Sequence, residues 1–529
     1  MNIYKDILSS NLPRLLSCYN LDRGSDTYGY GDRLFWGWKI SDFPNGTMQC
    51  GVHALSIAIK MGLVENEEFY LDVVDASVMA IERIMDRNGS LVEAYPGESS
   101  FCVTALVAFD VLSAIRILGR KLSTERVSRY LGIIGRLIGF IEKNDEHHAI
   151  ISNHLATAAA AVTLWKAITG ETLGRDKELL DLIYRHQSDE GWFLEYESAD
   201  QGYQTLCTHY LASIFNVTGD EELGRRLERS GAYLKYFVHP DGTIGGLYGS
   251  RNTEVYYPGG IVCLSETMAD FAQIAKGLEA GIKRQHHILP DSIDPGNYFP
   301  LLNSYATAAY HFERCKNALV AVDEQQYESN FQKTFEDSGI FICSTPAYYS
   351  ITNYKKGGTL KVFEKGHGHI EIEDGGICGK MGEKKFSTQH YDPDATFENH
   401  EIAARFCLNN ESYPSPLTTI LLRGLGLTVF RFLFLGNLFK KIIVKMLMTG
   451  KRQAGGLAVR KFIFEESRIY IHEAIRPASG LKGASFRRLG RGRSIHMASS
   501  GYYLKQIEQQ VEGSEMVSFT GDLGRGTGV

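Results

Sequence analysis

The fold is decided by the stretch FCVTALVAFDVLSAIRILGRKL, residues 101–122, together with NHLATAAAAVTLWKAITG, residues 153–170. Both stretches place apolar residues at helical spacing. Four more stretches share this spacing: 67–87, 126–144, 177–187 and 205–219. The pattern predicts that the chain is almost entirely α-helical up to about residue 320.

Similar loops recur between these predicted helices. A turn at 88–89, 189–192 or 241–242 leads into an aromatic and acidic segment, and a new helix follows. With the loop at 144–153 included, the spacing between these segments is roughly the length of a helical hairpin. A repeat of this length is typical of a closed or stacked array of helix pairs. Loops gathered on one rim would form a cleft. The alternative is that Gly and Asp only mark the helix ends.

The sequence pattern changes after about residue 336. Thr, Tyr, Ile and Val alternate between turns in six stretches: 339–345, 347–354, 358–365, 369–376, 460–466 and 468–475. This alternation is typical of β-strands and predicts a second domain built on sheets.

An apolar segment at about 413–450 interrupts the strand pattern. Arg423 and Arg431 divide its longest apolar runs. Since a membrane-spanning helix needs about 20 mostly apolar residues, we predict instead an amphipathic helix pair on the domain surface or in a membrane interface.

The composition is that of a folded soluble protein. At 529 residues the chain is long enough for two large domains, and 44% of its residues are hydrophobic and 22% charged. Its nine cysteines never form a CxxC pair, which favours free thiols in a reducing compartment. The first twenty residues lack the apolar core of a signal peptide. We therefore expect a cytoplasmic protein.

Positive charge is concentrated in the second half of the chain. From Ser412 to Phe464 there is no Asp or Glu, and a second basic run lies at 487–493. The first region contains nine basic residues: Arg423, Arg431, Lys440, Lys441, Lys445, Lys451, Arg452, Arg460 and Lys461. Such a local field suits an anionic partner, whether an acidic glycan, a membrane surface or nucleic acid.

Short motifs distributed over most of the chain resemble those of heparinase II/III-like proteins, especially those encoded with bacterial exopolysaccharide or O-antigen synthesis. The motifs are Tyr30-Gly31-Asp32-Arg33, Trp36, Asn153-His154, 195–203, 249–253, 428–431, 440–448 and 494–500. The resemblance implies an α+β protein with an N-terminal (α/α) toroid at 1–325 and an antiparallel β-sandwich at 336–529. It also implies lyase chemistry on a polysaccharide in the cleft between the two domains.

The same resemblance implies catalytic residues. In related lyases an Asn or an Asn-His pair neutralises the uronate carboxylate, and a tyrosine further along the chain acts as base or acid. Asn153, His154 and Tyr203 match this order and spacing. Tyr196 and Tyr210 remain alternatives, because this sequence carries extra residues between Glu195 and Tyr203.

The chemistry explains why these residue types are needed. A lyase removes a weakly acidic proton next to a carboxylate, so donors or cations must stabilise the charge that develops. The Asn153 amide and the Arg251 guanidinium would supply that stabilisation. His154 and Tyr203 would transfer the protons.

Further candidates lie on the recurring loops. The predicted substrate-binding residues are Arg251, Asn252, Trp36, Trp38, Glu98, Trp192, Glu195 and Tyr248. Exposed tryptophans would stack on sugar rings, although aromatic residues are more often part of a core. Structural roles are the alternative throughout: helix capping for Asn153, core packing for Tyr203 and a salt bridge for Arg251.

Lyases of this type also use a histidine from the β-domain. His367 and His369 are the predicted source here, with His390 next. The paired histidines would equally suit a metal, but no carboxylate partner has clear metal-ligand spacing. Phosphate-binding glycine loops, a GxSxG elbow and zinc signatures are absent from the sequence. We therefore predict no metal and no cofactor.

The sequence leaves three functional hypotheses. The first is a lyase that cleaves a uronate-containing acidic glycan by β-elimination. The second is a glycoside hydrolase on the same scaffold, using two of the carboxylates Glu98, Glu195, Asp200 and Glu254. The third is a non-catalytic glycan- or membrane-associated factor in polysaccharide synthesis. In all three the expected partner is an acidic glycan, with peripheral contact at the inner membrane and no nucleic acid.

Overall fold

The computed structural model of the chain describes residues 2–146, 149–366, 368, 370–409, 413–444, 450–476, 481–492, 494 and 516–521. The first thirteen α-helices in the described part are α1 (Ile3–Cys18), α2 (Arg33–Trp36), α3 (Val52–Lys60), α4 (Glu67–Ile84), α5 (Phe101–Leu118), α6 (Thr124–Lys143), α7 (Ser152–Thr169), α8 (Arg175–Arg185), α9 (Gln201–Thr218), α10 (Glu221–Leu234), α11 (Pro258–Leu264), α12 (Ala269–Lys283) and α13 (Pro295–Val320). They precede every named strand.

Alternate helices form a closed inner ring. Each of α3, α5, α7, α9, α11 and α13 packs against the next, and α13 packs against α3 to close the circle. The helices between them lie outside: α1 against α13, α4 against α3, α6 against α5, α8 against α7, α10 against α9, and α12 against α11. This double ring is the (α/α) toroid expected from the sequence, and that prediction is confirmed.

The residue pattern explains which helices lie inside. In α7 the run Ala158–Ala161 is completely buried, so small side chains allow close approach of neighbouring helices. In the outer helix α10, burial is confined to one stripe that includes Leu223, Leu227 and Leu234. Inner helices are therefore apolar on nearly every face, and outer helices on one.

Two sheets follow the toroid. The first runs in chain order through β1 (Phe331–Phe335), β2 (Ile340–Ser344), β3 (Tyr348–Asn353), β4 (Thr359–Glu364) and β5 (Ile370–Asp374), all antiparallel. The second contains β6 (Ile377–Met381), β7 (Lys384–Ser387), β8 (Glu401–Leu408), β9 (Gln453–Phe464), β10 (Ile469–Arg476), β11 (Ser485–Arg488) and β12 (Val517–Thr520). Its order is β11-β6-β7-β8-β9-β10-β12.

The second sheet departs from the expected antiparallel sandwich at one edge, where β12 pairs parallel with β10. The strand before it, β11, lies at the opposite edge of the same sheet. A tight hairpin would give antiparallel pairing, so β10 and β12 are not joined by one.

The first sheet is buried on both faces. Ile340, Ile342 and Ile351 belong to the core of the toroid, while Phe341 and Val362 pack with residues of the second sheet such as Phe462. Successive residues of a strand point to opposite faces, so one sheet serves both cores. The molecule is thus three layers: toroid, first sheet, second sheet.

The strands begin earlier than the sequence pattern indicated. The toroid ends with α13 at Val320, and β1 starts at Phe331, before the predicted domain start at residue 336. The strand FQKTF is an edge strand with three exposed polar residues, and this composition hides it from a hydrophobicity pattern.

Two more helices interrupt the second sheet between β8 and β9. They are α14 (Pro416–Leu427) and α15 (Leu433–Val444), and together with the linking residues 428–432 they are called the hairpin below. By length and composition, one stretch of the described chain would suffice to cross a membrane: Phe101–Lys121, which contains the buried inner helix α5.

Candidate active site at the toroid rim

The inner helices α5, α7 and α9 begin at one rim of the toroid. Backbone hydrogen bonds tie the loop before α9 to the loops before α7 and α11. The backbone N–H of Ser152 donates to the Leu194 carbonyl at 3.2 Å, and that of Ser250 donates to the Ala199 carbonyl at 2.8 Å. Because the positive ends of these helix dipoles point to the same rim, the rim favours negative charge.

Asn153 lies in the first turn of α7 and is buried. Its Nδ2 donates to Oε1 of Glu195 at 2.6 Å. The N-cap of α7 is Ile151, and no side chain caps this helix end. The capping role considered for Asn153 is therefore wrong, and its amide instead joins two rim loops.

Burial dominates the electrostatics of Glu195. The side chain is 3% exposed, and burial raises its pKa to about 8; nearby Asp200 raises it too, while His154 and Asn153 act in the opposite direction. The carboxyl is therefore mostly protonated at neutral pH, so it holds a proton that it is able to donate.

His154 is paired with a carboxylate at this rim. Its Nδ1 lies 2.8 Å from Oε2 of Glu146. Burial alone would lower the pKa of His154, but the Cys102 thiol and the Glu146 carboxylate raise it well above its ordinary value. A protonated imidazole has no free electron pair for a proton, so this geometry favours charge stabilisation over the predicted role as base.

Two tyrosines and an arginine complete the rim cluster. The Arg251 guanidinium carbon lies 4.8 Å from the centre of the Tyr196 ring, a cation–π contact. Tyr203, half-buried in the first turn of α9, lies close enough to Tyr196 to affect its pKa, which burial raises. Tyr210, the other alternative, is 3% exposed and packs edge-on against Phe109 in the core.

Asp200 organises the backbone around these groups. It caps α9, with Oδ1 accepting from the N–H of Tyr203 at 3.0 Å, and its Oδ2 accepts from the N–H of Arg251 at 2.8 Å. A Cβ at Gly249 would lie 2.8 Å from the same Oδ2, so only glycine permits this approach. The carboxylate thereby fixes Tyr203 and Arg251 relative to each other.

Three predicted binding residues are structural instead. The Tyr248 hydroxyl is buried and accepts from the N–H of Gly245 at 2.9 Å. The Trp192 indole donates to Oε2 of Glu190 at 2.9 Å and is 7% exposed. Asn252 is fully buried, and its Oδ1 accepts from the Lys356 ammonium. All three side chains point into the protein interior. Their position on a rim loop did not reveal this, because a loop position does not determine the direction of the side chain.

The remaining predicted binding residues lie on neighbouring loops. Trp38 is 67% exposed, and Trp36 is half-buried with its indole N–H donating to the Cys18 carbonyl at 2.9 Å. Glu98 accepts from the N–H of Ala94 at 2.7 Å and shapes the loop before α5. Of the three, Trp38 has the exposure that sugar stacking requires.

The β-domain contributes a pocket beside the rim. His367 and His369 lie outside the described residues. His390, the alternative, lines a pocket of about 230 Å³ with Tyr391 and Lys451, and burial lowers its pKa to about 4. Lys451 Nζ lies 2.8 Å from Oε1 of Glu197, the residue after Tyr196, so the pocket adjoins the rim cluster.

Sequence reasoning missed two members of the site. Cys102 and Glu146 flank His154 and raise its pKa, but Cys102 is distant in sequence and neither residue belongs to a motif. The helix pattern alone would have located Cys102 on the first turn of α5. Within the described residues, no group of three His, Cys, Asp or Glu side chains is arranged to hold a metal ion.

No protein-family model matches the sequence, and no curated protein matches it. Among solved structures, a Paenibacillus xanthan lyase is similar at 9% identity with a TM-score of 0.48, over 76% of this chain and 44% of that one. This chain thus spans less than half of the xanthan lyase. A chondroitin AC lyase of Streptomyces coelicolor A3 in complex with chondroitin sulphate is similar at 11% identity with a TM-score of 0.43, over 77% and 68% of the two chains.

Heparinase III is similar at 12% identity with a TM-score of 0.41, over 70% of this chain and 60% of that one. The architecture of the present protein is therefore established from its own helix contacts and strand pairing. Its function rests on the chemistry of its own rim.

Proposed function

We propose that this protein is a glycan-processing enzyme of the heparinase II/III type, which cleaves a uronate-containing polysaccharide by β-elimination. The observation that carries the proposal is the convergence of Asn153, His154, Arg251, Tyr196 and Tyr203 where α7 and α9 begin. An amide, two cations and two phenols are the groups that β-elimination next to a carboxylate requires.

The cations would bind the uronate carboxylate. The imidazolium of His154 and the guanidinium of Arg251 both lie close enough to Tyr196 to affect its pKa, so both cations are near the same phenol. The helix N-termini add partial positive charge at the same place. The negative charge that develops on the carboxylate during proton removal is thereby stabilised before the reaction begins.

The phenols would transfer the protons. Tyr203 acts in its phenolate form: it takes the proton from the carbon next to the carboxylate and becomes the phenol, the released electron pair forms the new double bond, and the glycosidic C–O bond breaks. The departing oxygen then takes a proton. Tyr196 suits this second step, because burial raises its pKa and keeps the phenol protonated.

A glycoside hydrolase is the second candidate, favoured by the raised pKa of Glu195, which suits a general acid. Hydrolysis needs a second carboxylate. The other three candidates already serve the structure: Asp200 accepts backbone N–H groups, Glu98 accepts the Ala94 N–H, and Glu254 lies 4.0 Å from the buried Lys361 ammonium. Elimination is therefore preferred.

We place the activity in the metabolism of a bacterial surface polysaccharide, on the cytoplasmic side. The test is to incubate the full chain with a panel of uronate-containing glycans and record ultraviolet absorbance and new reducing ends together. A lyase creates an unsaturated uronate that absorbs. New reducing ends without absorbance would favour the hydrolase, and neither signal on any glycan would favour a non-catalytic factor.

A further inference from the structure

The hairpin has an apolar surface that is exposed to solvent. Large side chains on both helices and the linker are more than half exposed. They are Leu417 (76%), Ile420 (68%), Leu421 (62%), Leu427 (62%), Phe432 (67%), Phe434 (76%) and Ile442 (54%). Solvated apolar patches of this kind on soluble proteins mark interaction sites.

A few contacts attach the hairpin to the toroid. Phe430 is buried against Tyr95, with ring centres 5.5 Å apart. Arg423 Nε lies 2.8 Å from Oδ2 of Asp42, and Gly426 approaches Pro96 so closely that a Cβ would lie 2.6 Å from its carbonyl oxygen. These contacts define the side of the hairpin that faces the toroid. The large exposed apolar side chains lie on the rest of the hairpin surface.

The charge of the hairpin indicates which partner covers this surface. Between residues 413 and 444 the sequence has four basic residues, at 423, 431, 440 and 441, and no acidic one. Lys441 is exposed. Exposed Trp38 (67%) and Ile40 (75%) belong to the same loop region as Asp42, the partner of Arg423. Apolar, aromatic and basic side chains together suit the headgroup region of an anionic membrane.

The helices are too short to span a bilayer. Each has 12 residues, which gives a length of about 18 Å against a hydrocarbon thickness of about 30 Å. In the membrane interface, the exposed apolar side chains would enter the outer part of the hydrocarbon and Lys441 would lie among the headgroups.

We propose that the hairpin docks the protein on an anionic lipid surface. The hairpin contacts the loop at 95–97, and that loop leads directly into Cys102 beside His154. Docking therefore holds the rim cluster close to the membrane, where a glycan on a lipid carrier would be within reach. The lipid contact itself does not depend on the proposed enzymatic activity.

Vesicle co-sedimentation of the full chain tests the proposal. Vesicles of phosphatidylglycerol and phosphatidylcholine are compared with pure phosphatidylcholine, over sodium chloride from about 50 to 500 mM. We expect binding to the anionic vesicles to be at least tenfold stronger, and to weaken as salt rises. Equal recovery with the two vesicle types, or with neither, would overturn the proposal.

Matched variants locate the contact. Ile420→Glu combined with Phe434→Glu should reduce anionic-vesicle binding at least tenfold, and Lys440→Gln with Lys441→Gln severalfold. Val320→Glu is the control, because Val320 is equally exposed (78%) but ends α13, outside the hairpin. All variants should keep the melting temperature of the parent.

Two further outcomes of these experiments are informative. A parent protein that sediments as a dimer, becomes monomeric in the Ile420→Glu, Phe434→Glu variant and binds no vesicles would show that a second copy covers the surface. Unchanged vesicle binding in that variant would mean that the hairpin does not contact lipid. Either result contradicts the proposal.

Discussion

The toroid rim and the hairpin are neighbours, yet they distribute side chains in opposite ways. At the rim, polar groups such as Asn153, Glu195 and Asp200 are buried and hydrogen-bonded. On the hairpin, Ile420 and Phe434 face water. A buried polar group costs free energy unless it is bonded, and an exposed apolar patch costs free energy until it is covered. The buried polar groups of the rim therefore indicate a site for chemistry, and the exposed apolar side chains of the hairpin indicate a site for docking.

The largest expected effect concerns the rim tyrosines. Tyr203→Phe keeps the ring and removes the proton carrier, so turnover should fall by about 10²–10⁴-fold with little change in melting temperature. The measurement is turnover on the glycan that the parent cleaves. Tyr196→Phe is the matched variant, and a greater loss there with full activity in Tyr203→Phe would exchange the roles of the two residues.

The second prediction concerns the buried amide. Asn153→Ala removes a donor to the developing charge and should lower turnover by about 10²–10³-fold. It also removes the bond to Glu195, which costs about 1–3 kcal/mol of stability. Asn144→Ala is the control, because its Nδ2 bonds only the Phe140 carbonyl at the end of α6. Equal turnover in the two variants would remove Asn153 from the mechanism.

The third prediction concerns pH. Burial raises the pKa of Glu195 from its ordinary value of 4.5 to about 8, so between these values the folded state binds more protons than the unfolded state. The contribution of Glu195 to stability is therefore complete below about pH 4.5 and is lost as pH rises through about 8.

Glu195→Gln should abolish this part of the pH dependence. The check is thermal unfolding between pH 5 and 8.5, where the variant should show a smaller decline than the parent. Glu221→Gln, at an exposed carboxylate on the outer helix α10, should leave the decline unchanged. Identical slopes for the parent and Glu195→Gln would show that Glu195 titrates normally.

The smallest expected effect is on the stability of the hairpin. Phe434→Ser replaces an exposed side chain and should change the free energy of unfolding by no more than about 0.5 kcal/mol. Phe430→Ala empties a buried position between Tyr95 and Phe439 and should loosen the hairpin, with a local cost of about 3 kcal/mol. Limited proteolysis at 413–444 measures the difference, and equal cleavage rates would contradict the attachment described here.

The sequence predicted the fold class because helical and strand periodicities are local properties. Burial in α7 and alternation in β10 both follow from side-chain spacing. The edge strand β1 was missed because three of its five residues are polar and exposed. The parallel pairing of β12 was missed because pairing depends on the path of the chain between strands.

The candidate site was predictable only where chain order matched a known motif. Asn153, His154 and Tyr203 were located this way, and the structure brings them to one rim. Tyr248 and Trp192 share the same kind of loop but turn into the core. The charge on His154 was not predictable, because it depends on Cys102 and Glu146, which approach it through tertiary packing.

The central claim is that the rim cluster removes a proton from the carbon next to a uronate carboxylate. It is tested most directly with a glycan deuterated at that carbon, by measuring deuterium released to solvent against new chain ends formed by the parent protein. The account predicts one deuterium released for each chain end, and no release by Tyr203→Phe. Chain ends that form while the deuterium stays in the product would contradict it.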